Sequence, residues 1–165
     1  MTQPALRPYL PADAPLLAAI FQASVEELTG DDYTEAQQAA WASEADDEAA
    51  FGARLAAGLT LVATLDGTAV GFASLKDNLL VDLLYVHPDA VGQGVGTALC
   101  DGLERLAAAR GAKEIKADAS DNAEGFFTAR GYQPQRRNTV TIGGEWLATT
   151  TLMKPLATSP AASPR

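Results

Sequence analysis

LLVDLLYVHPDAVGQGVGTALCDGLERLAAAR, from Leu79 to Arg110, reads as a strand, a glycine-bearing turn and a helix. Leu79 to Val86 is an apolar run broken only by Asp82. His87-Pro88-Asp89 ends it, because proline supplies no ladder donor and biases its predecessor toward extended backbone. Val95, Leu99, Leu103 and Leu106 then fall at i, i+4, i+8 and i+11, one face of a 3.6-residue period. Gly92, Gly94 and Gly96 lie between strand and helix, where they let the backbone approach a ligand and take positive φ. The first N–H groups of a helix have no intrahelical acceptor and sit at the positive end of its dipole. Strand, glycine turn and helix start therefore form an anion site, usually for phosphate.

Two common phosphate motifs fail on residue identity. A P-loop requires Lys and then Ser or Thr after its last glycine, and here Thr97-Ala98 follows Gly96. A dinucleotide fingerprint requires a glycine where Thr97 stands. The stretch instead resembles the acetyl-CoA motif of the GNAT N-acetyltransferase superfamily. That motif is Arg or Gln, two residues, Gly, one residue, then Gly or Ala, after a strand often ending L-Y-V-x-P. Leu84-Tyr85-Val86-His87-Pro88 and Val91-Gly92-Gln93-Gly94-Val95-Gly96 carry the resemblance, with Val91 departing where the family has Arg or Gln. It implies a pyrophosphate held mainly by main-chain amides from Val91 to Thr97, so the departure is expected to cost some affinity and not function.

Composition narrows the partners. The 165 residues, 47% hydrophobic and 20% charged, are read as one globular domain over 1–154 and a Pro-, Ala- and Ser-rich tail over 155–165 expected to be disordered. A formal charge of −9 argues against nucleic acid or an anionic membrane as partner, since both need a basic face. It also leaves an anionic cosubstrate to be captured by local amides. Cys100 is the only cysteine, so no intrachain disulfide forms; mid-helix and with no His nearby in sequence, it reads as a buried small hydrophobe. No apolar run of 18 residues and no signal-peptide layout is present, which leads to an expectation of a cytoplasmic protein, monomeric or homodimeric.

Outward from the central stretch, Ala5 to Leu10 has strand character, and Asp13 is placed to cap a helix running to about Leu28. Further helices are expected over Thr34 to Trp41 and Asp46 to Ala57. Strands over Leu59 to Leu65 and Thr68 to Leu75 join through Asp66-Gly67. Lys113 to Ser120 follows as a strand parallel to the central one, and Asp121 is placed to cap another helix. Gln133 to Ile142 and Glu145 to Met153 form a hairpin around Gly143-Gly144. This order resembles the GNAT one. The expected class is α/β (α+β): a mixed, largely antiparallel sheet of about seven strands, a splayed central parallel pair and about four flanking helices.

A second motif lies about 30 residues on. Asn122-Ala-Glu-Gly-Phe-Phe127-Thr-Ala-Arg-Gly-Tyr132 resembles the family's N-x-x-x-F-Y-x-x-x-G-F segment. The resemblance implies that Asn122 bonds the pantetheine arm and that the aromatic pair packs beside the thioester. Phe127 stands where the family usually has the Tyr that protonates the departing thiolate. Either Tyr85, Tyr33 or water substitutes, or the domain binds acyl-CoA without efficient transfer. In the splayed strand, Leu84 and Val86 would offer backbone groups to the arm, with the Leu84 amide polarising the thioester carbonyl.

Acceptor chemistry is read from scattered residues. A primary amine must lose a proton before it attacks, and Asp82, which interrupts an otherwise apolar strand, and Asp118, on the splayed partner strand, are the candidate bases, both read as buried acids. His87 belongs to a turn. Tyr33, Gln37 and Trp41 form one helical stripe that either caps the core or lines the acceptor pocket, and Trp146 has the same two readings. The activity implied is direct acetyl transfer from acetyl-CoA to a small-molecule primary amine, without a metal. A protein or peptide acetyltransferase and a non-catalytic acyl-CoA sensor are the alternatives.

Overall fold

The computed structural model describes residues 3–157. In chain order the elements are β1 (Ala5–Pro8), α1 (Ala14–Leu28), α2 (Glu35–Ala42), α3 (Glu48–Ala57), β2 (Leu59–Leu65), β3 (Thr68–Lys76), β4 (Leu80–Val86), α4 (Val95–Ala109), β5 (Glu114–Ser120), α5 (Glu124–Ala129), β6 (Gln133–Ile142) and β7 (Glu145–Pro155). The strands form one sheet in the order β1-β2-β3-β4-β5-β7-β6. Only β4 and β5 pair in parallel, as a strand–helix–strand crossover through α4 requires.

Local chemistry explains most element ends. Thr34 opens α2 with a reciprocal cap: its hydroxyl accepts from the Gln37 amide at 3.1 Å, and its own amide donates to Gln37 Oε1 at 2.8 Å. Asp47 caps α3 by accepting from the Ala50 amide at 3.0 Å, so that helix starts later than the expected Asp46. Two expected caps are otherwise employed. The Asp13 carboxylate makes no cap bond to α1; it accepts from the Leu10 amide at 2.8 Å and from both Arg7 Nη atoms at 2.8 Å, tying β1 to the start of α1. Asp121 pairs with Arg137 of β6 at 2.6 and 3.1 Å, and α5 begins only at Glu124. The expected tail boundary also shifts. Pro155 still pairs with Glu114, and the Leu156 amide donates to the Lys113 carbonyl at 2.8 Å; residues 158–165 lie outside the described residues.

Helices cover both faces of the sheet. Leu17 and Phe21 of α1 and Phe51 and Leu55 of α3 pack with Phe72 and Leu83 on one face. Val95, Leu99, Cys100 and Leu103 of α4 pack with Ile115, Phe127 and Leu152 on the other. Each fully buried Leu or Phe among them contributes about 1.5–3 kcal/mol. Leu106 is only partly buried, and Cys100 and Ala107 complete the α4 stripe instead. Burial pushes the Cys100 thiol up to about 11, which leaves it an inert packing group.

One irregularity organises the site. Along β4, Ser74 pairs with Leu83 and Leu75 with Val81, so Asp82 is an extra residue in a bulge. Strict alternation would put Val81, Leu83 and Tyr85 on one face. Instead Val81, Leu84 and Val86 pack on the α4 side, while Leu83 and Tyr85 pack on the α1–α3 side. The bulge turns Asp82 toward α3, where it meets Arg54.

Candidate active site

The parallel pair is short. Leu80 pairs with Lys116 and Val81 with Ala117, and there the ladder stops. β4 stays paired with β3 as far as Val86, and β5 with β7 as far as Ser120, so each strand follows its own neighbour and the two diverge. From Asp82 onward the β4 edge that faces β5 has no ladder partner, which leaves main-chain groups for a ligand. A cleft of about 390 Å³ fills the gap. Leu84 and Tyr85 line one wall, Asp118, Ala119 and Ser120 the other, and Asn122 and Phe127 also border it. Thr149 Oγ1, buried without a hydrogen-bond partner among the described residues, belongs to the same lining.

At the end of β4 the chain enters the glycine turn. His87 braces that entry by accepting from the Asp89 amide at Nδ1, 3.0 Å away. Gly92 and Gly94 have φ of 84° and 80°, and a Cβ built on either meets nothing within 4 Å. Gly94 is the N-cap of α4, whose first backbone bond runs from the Ala98 amide to the Gly94 carbonyl at 3.0 Å. The Val95, Gly96 and Thr97 amides precede that bond, so they lack intrahelical acceptors and point out of the helix end. Val91 is exposed, and the Gln93 side chain folds back onto the Asp89 carbonyl at 3.3 Å, leaving the turn uncovered. An open row of amides beside a gap between strands fits a diphosphate with a long thioester arm.

The aromatic residues divide by what their polar atoms do. Tyr33 is buried; its hydroxyl donates to the Ala148 carbonyl at 2.8 Å and accepts from the Asp121 amide at 2.9 Å. Its proton is committed. The Tyr85 hydroxyl accepts from Trp41 Nε1 at 3.2 Å, and burial holds its pKa well above that of an ordinary phenol. No acceptor for its own proton lies within hydrogen-bond distance among the described residues. Trp41 packs edge-on against Tyr33 and Tyr85, with centroids 5.4 and 6.4 Å away. Phe127 is 3% exposed, edge-on to Phe126 and Tyr132, and brings only hydrocarbon to the cleft.

Trp146 departs from both of its expected roles: it is 71% exposed and lies outside the cleft, where its neighbour Leu147 takes the inward position. Its carbonyl nevertheless matters, because Gln37 Nε2 donates to it at 2.8 Å. A Cβ built on Gly143 would stand 3.1 Å from Ala40 Cβ. With the Tyr33–Ala148 bond, these contacts stitch α2 and the segment before it to the β6–β7 hairpin.

Neither candidate base is a buried, unpartnered acid. Asp82 is held by both arms of Arg54, Oδ2 to Nε at 2.9 Å and Oδ1 to Nη2 at 3.1 Å. Asp118 is exposed and not buried, and accepts from Thr151 Oγ1 at 2.6 Å. A third carboxylate of the cleft, Glu44, has no sequence signal. It sits among Glu48, Asp46 and Asp47 in an acidic stretch that reads as a solvated surface. The residue is exposed overall, yet the cleft around its head partly desolvates the carboxyl and raises it above the usual range, with Arg54 pulling it down and Asp82 pushing it up.

Known proteins agree with this geometry. Residues 29–148 match the family described as the Acetyltransferase (GNAT) domain. The Escherichia coli (strain K12) protein named uncharacterized N-acetyltransferase YafP is 32% identical over 141 residues, 86% of this chain and 89% of that protein. A solved GCN5-related N-acetyltransferase, aminotransferase class-II, from Rhodopseudomonas palustris is 64% identical. It covers 94% of this chain and 98% of that one, with a TM-score of 0.93. The PaiA N-acetyltransferase of Thermoplasma acidophilum, solved with coenzyme A, shares the fold at a TM-score of 0.77. The two are 20% identical over 93% of this chain and 99% of that one. The chain belongs to the GNAT acetyltransferases, and is an acetyl-CoA-dependent N-acetyltransferase. Among the described residues no helix is long and apolar enough to cross a membrane.

Proposed function

We propose that the acceptor is the primary amine of a small molecule, acetylated directly with no covalent enzyme intermediate. The observation that carries this reading is the stitched roof: the Gln37–Trp146 and Tyr33–Ala148 bonds, with Gly143 leaving no room for a side chain beside Ala40, join the two rims between which an extended peptide would thread. In this reading the amides from Gly92 to Thr97 hold the diphosphate, Asn122 orients the pantetheine arm and the Leu84 amide polarises the thioester carbonyl. Val86 adds backbone contacts, and Tyr33 and Trp41 shape the acceptor end. Arg54 and Asp82 form a neutral pair beside it.

The nitrogen lone pair attacks the thioester carbon, the C–S bond breaks and the thiolate leaves with a proton. Tyr85 is the donor of that proton or of a hydrogen bond to the thiolate, since Phe127 has none to give and the Tyr33 proton is engaged. Tyr85→Phe is expected to lower kcat by about tenfold, below the roughly hundredfold or more usual for acid catalysis because a thiolate leaves readily. Acetyl-CoA affinity should stay unchanged. Adding Phe127→Tyr should restore part of the loss, which stopped-flow detection of the free thiol would read.

The acceptor class is tested with acetyl-CoA and a panel of aliphatic, aromatic and amino-sugar amines against peptides with free α-amino or lysine groups. Faster thiol release with the small amines is expected, and faster release with the peptides would overturn the reading. Binding of acetyl-CoA with no release to any acceptor would favour the sensor alternative, which the Phe127 departure supports.

A further inference from the structure

Resting on the acetyl-transfer reading, we propose that Glu44, in the turn joining α2 to α3, is the carboxylate that takes the acceptor's proton. Three carboxylates border the cleft, and two are occupied. Taking a proton on Asp82 would break its two-armed pair with Arg54, and Asp118 already accepts a 2.6 Å hydrogen bond from Thr151 Oγ1. Glu44 has no hydrogen-bond donor among the described residues, although it belongs to the cleft lining.

The turn that carries Glu44 is fixed at both ends, as a proton-transfer group requires. Ser43 Oγ donates to the Ala40 carbonyl at 2.6 Å, closing α2. On the other side Asp47 caps α3. Gln22 Nε2 of α1 donates to the Ala42 carbonyl at 3.3 Å and to Asp46 Oδ1 at 2.9 Å, pinning the turn to the helix behind it. Glu44 is therefore presented from a braced segment.

Its surroundings favour the role. The charged or titratable groups that act on it are Arg54 of α3 and, from β4, Asp82 and Tyr85. Asp82 neutralises Arg54, so the charge of Glu44 is left to attract an ammonium group. Partial desolvation makes its carboxylate a readier proton acceptor than a solvated one. One proton passes from the ammonium to a Glu44 carboxylate oxygen and the freed lone pair forms the C–N bond; as the C–S bond breaks the nitrogen loses its second proton, the thiolate takes one up by way of Tyr85, and Glu44 returns its own to water.

Two nucleophiles separate this role from a structural one. Butylamine is almost wholly protonated at pH 7 and needs a base, whereas hydroxylamine is already largely neutral. Glu44→Gln is expected to lower kcat/KM for butylamine by about a hundredfold, with less than threefold loss for hydroxylamine. It should also remove the acidic limb of the pH profile, with acetyl-CoA affinity unchanged by calorimetry; Glu44→Asp should recover part of the rate. Equal losses with both nucleophiles, or none with either, would overturn the assignment of Glu44 while leaving acetyl transfer intact. Failure of the wild-type chain to acetylate either amine would overturn the small-amine acceptor reading, and the proton-acceptor role with it.

Discussion

Gly94→Val should weaken acetyl-CoA binding by about fiftyfold, measured by calorimetry on the full chain. Gly94 has φ of 80°, a conformation that costs an L-residue about 1–2 kcal/mol and a β-branched one more. Its Cβ would meet no protein atom within 4 Å, so the new side chain stands where the ligand is expected rather than in the core. The backbone either keeps its shape with the amide row obstructed, or relaxes and moves the Val95 and Gly96 amides off the phosphate. Loss of one or two charge-assisted hydrogen bonds, about 1.5–3 kcal/mol each, sets the size of the effect. An affinity within threefold of wild type would show that the phosphate lies elsewhere.

The second large effect is on stability. Glu104 of α4 gathers four donors: Cys100 Sγ at 3.3 Å, Tyr132 Oη at 2.9 Å, Arg130 Nη2 at 3.1 Å and Lys154 Nζ at 2.9 Å. It ties the helix of the glycine turn to β7 and to the segment between α5 and β6. The side chains of Glu104 and Arg130 are 13% and 14% exposed, so removing the carboxylate leaves a largely buried guanidinium with Asp101, at 2.6 Å, as its remaining partner and takes the acceptor from Lys154 and Tyr132. Glu104→Ala is expected to cost about 2–3 kcal/mol, lowering Tm by about 4–12 °C at this chain length.

Burial pushes the Glu104 carboxyl up, but Lys154, then Tyr132 and Arg130, outweigh it and hold the carboxyl below its usual range. Its folded-state pKa is therefore depressed. The stability this gives is fully present above the unfolded carboxyl's pKa of about 4.3, and is lost as pH falls through the folded value. Urea melts of wild type and Glu104→Gln should differ most near neutral pH and converge in acid. A constant gap across that range would contradict the role.

Much of the fold was legible in sequence because local chemistry and tertiary structure agree. β2 and β6 occupy the residues that alternation and turn signals assign, Leu59–Leu65 and Gln133–Ile142. The strand, turn and helix from Leu80 to Ala109 follow from Pro88, the three glycines and the helical stripe. The site was harder to read, for two reasons. The bulge at Asp82 changes which face its side chain takes, so alternation cannot reveal Arg54, 28 residues upstream, as its partner. The roof is closed by side chains bonding to carbonyls, Gln37 to Trp146 and Tyr33 to Ala148, and a carbonyl has no residue signature. Trp146 itself was misleading: its bulk reads as core or pocket, while only its backbone takes part. Glu44 failed for the opposite reason, as one acid in an acidic stretch whose place in the cleft lining is set by elements far along the chain.

The most direct test is an amide-resolved NMR titration of the full chain with coenzyme A. The account predicts that the largest shifts fall on the amides from Gly92 to Thr97 and on Leu84 and Val86 of β4, with Asn122 following. If those amides stay in place while coenzyme A binds and moves resonances elsewhere, the diphosphate is not held by the turn and the thioester does not lie between the diverging strands.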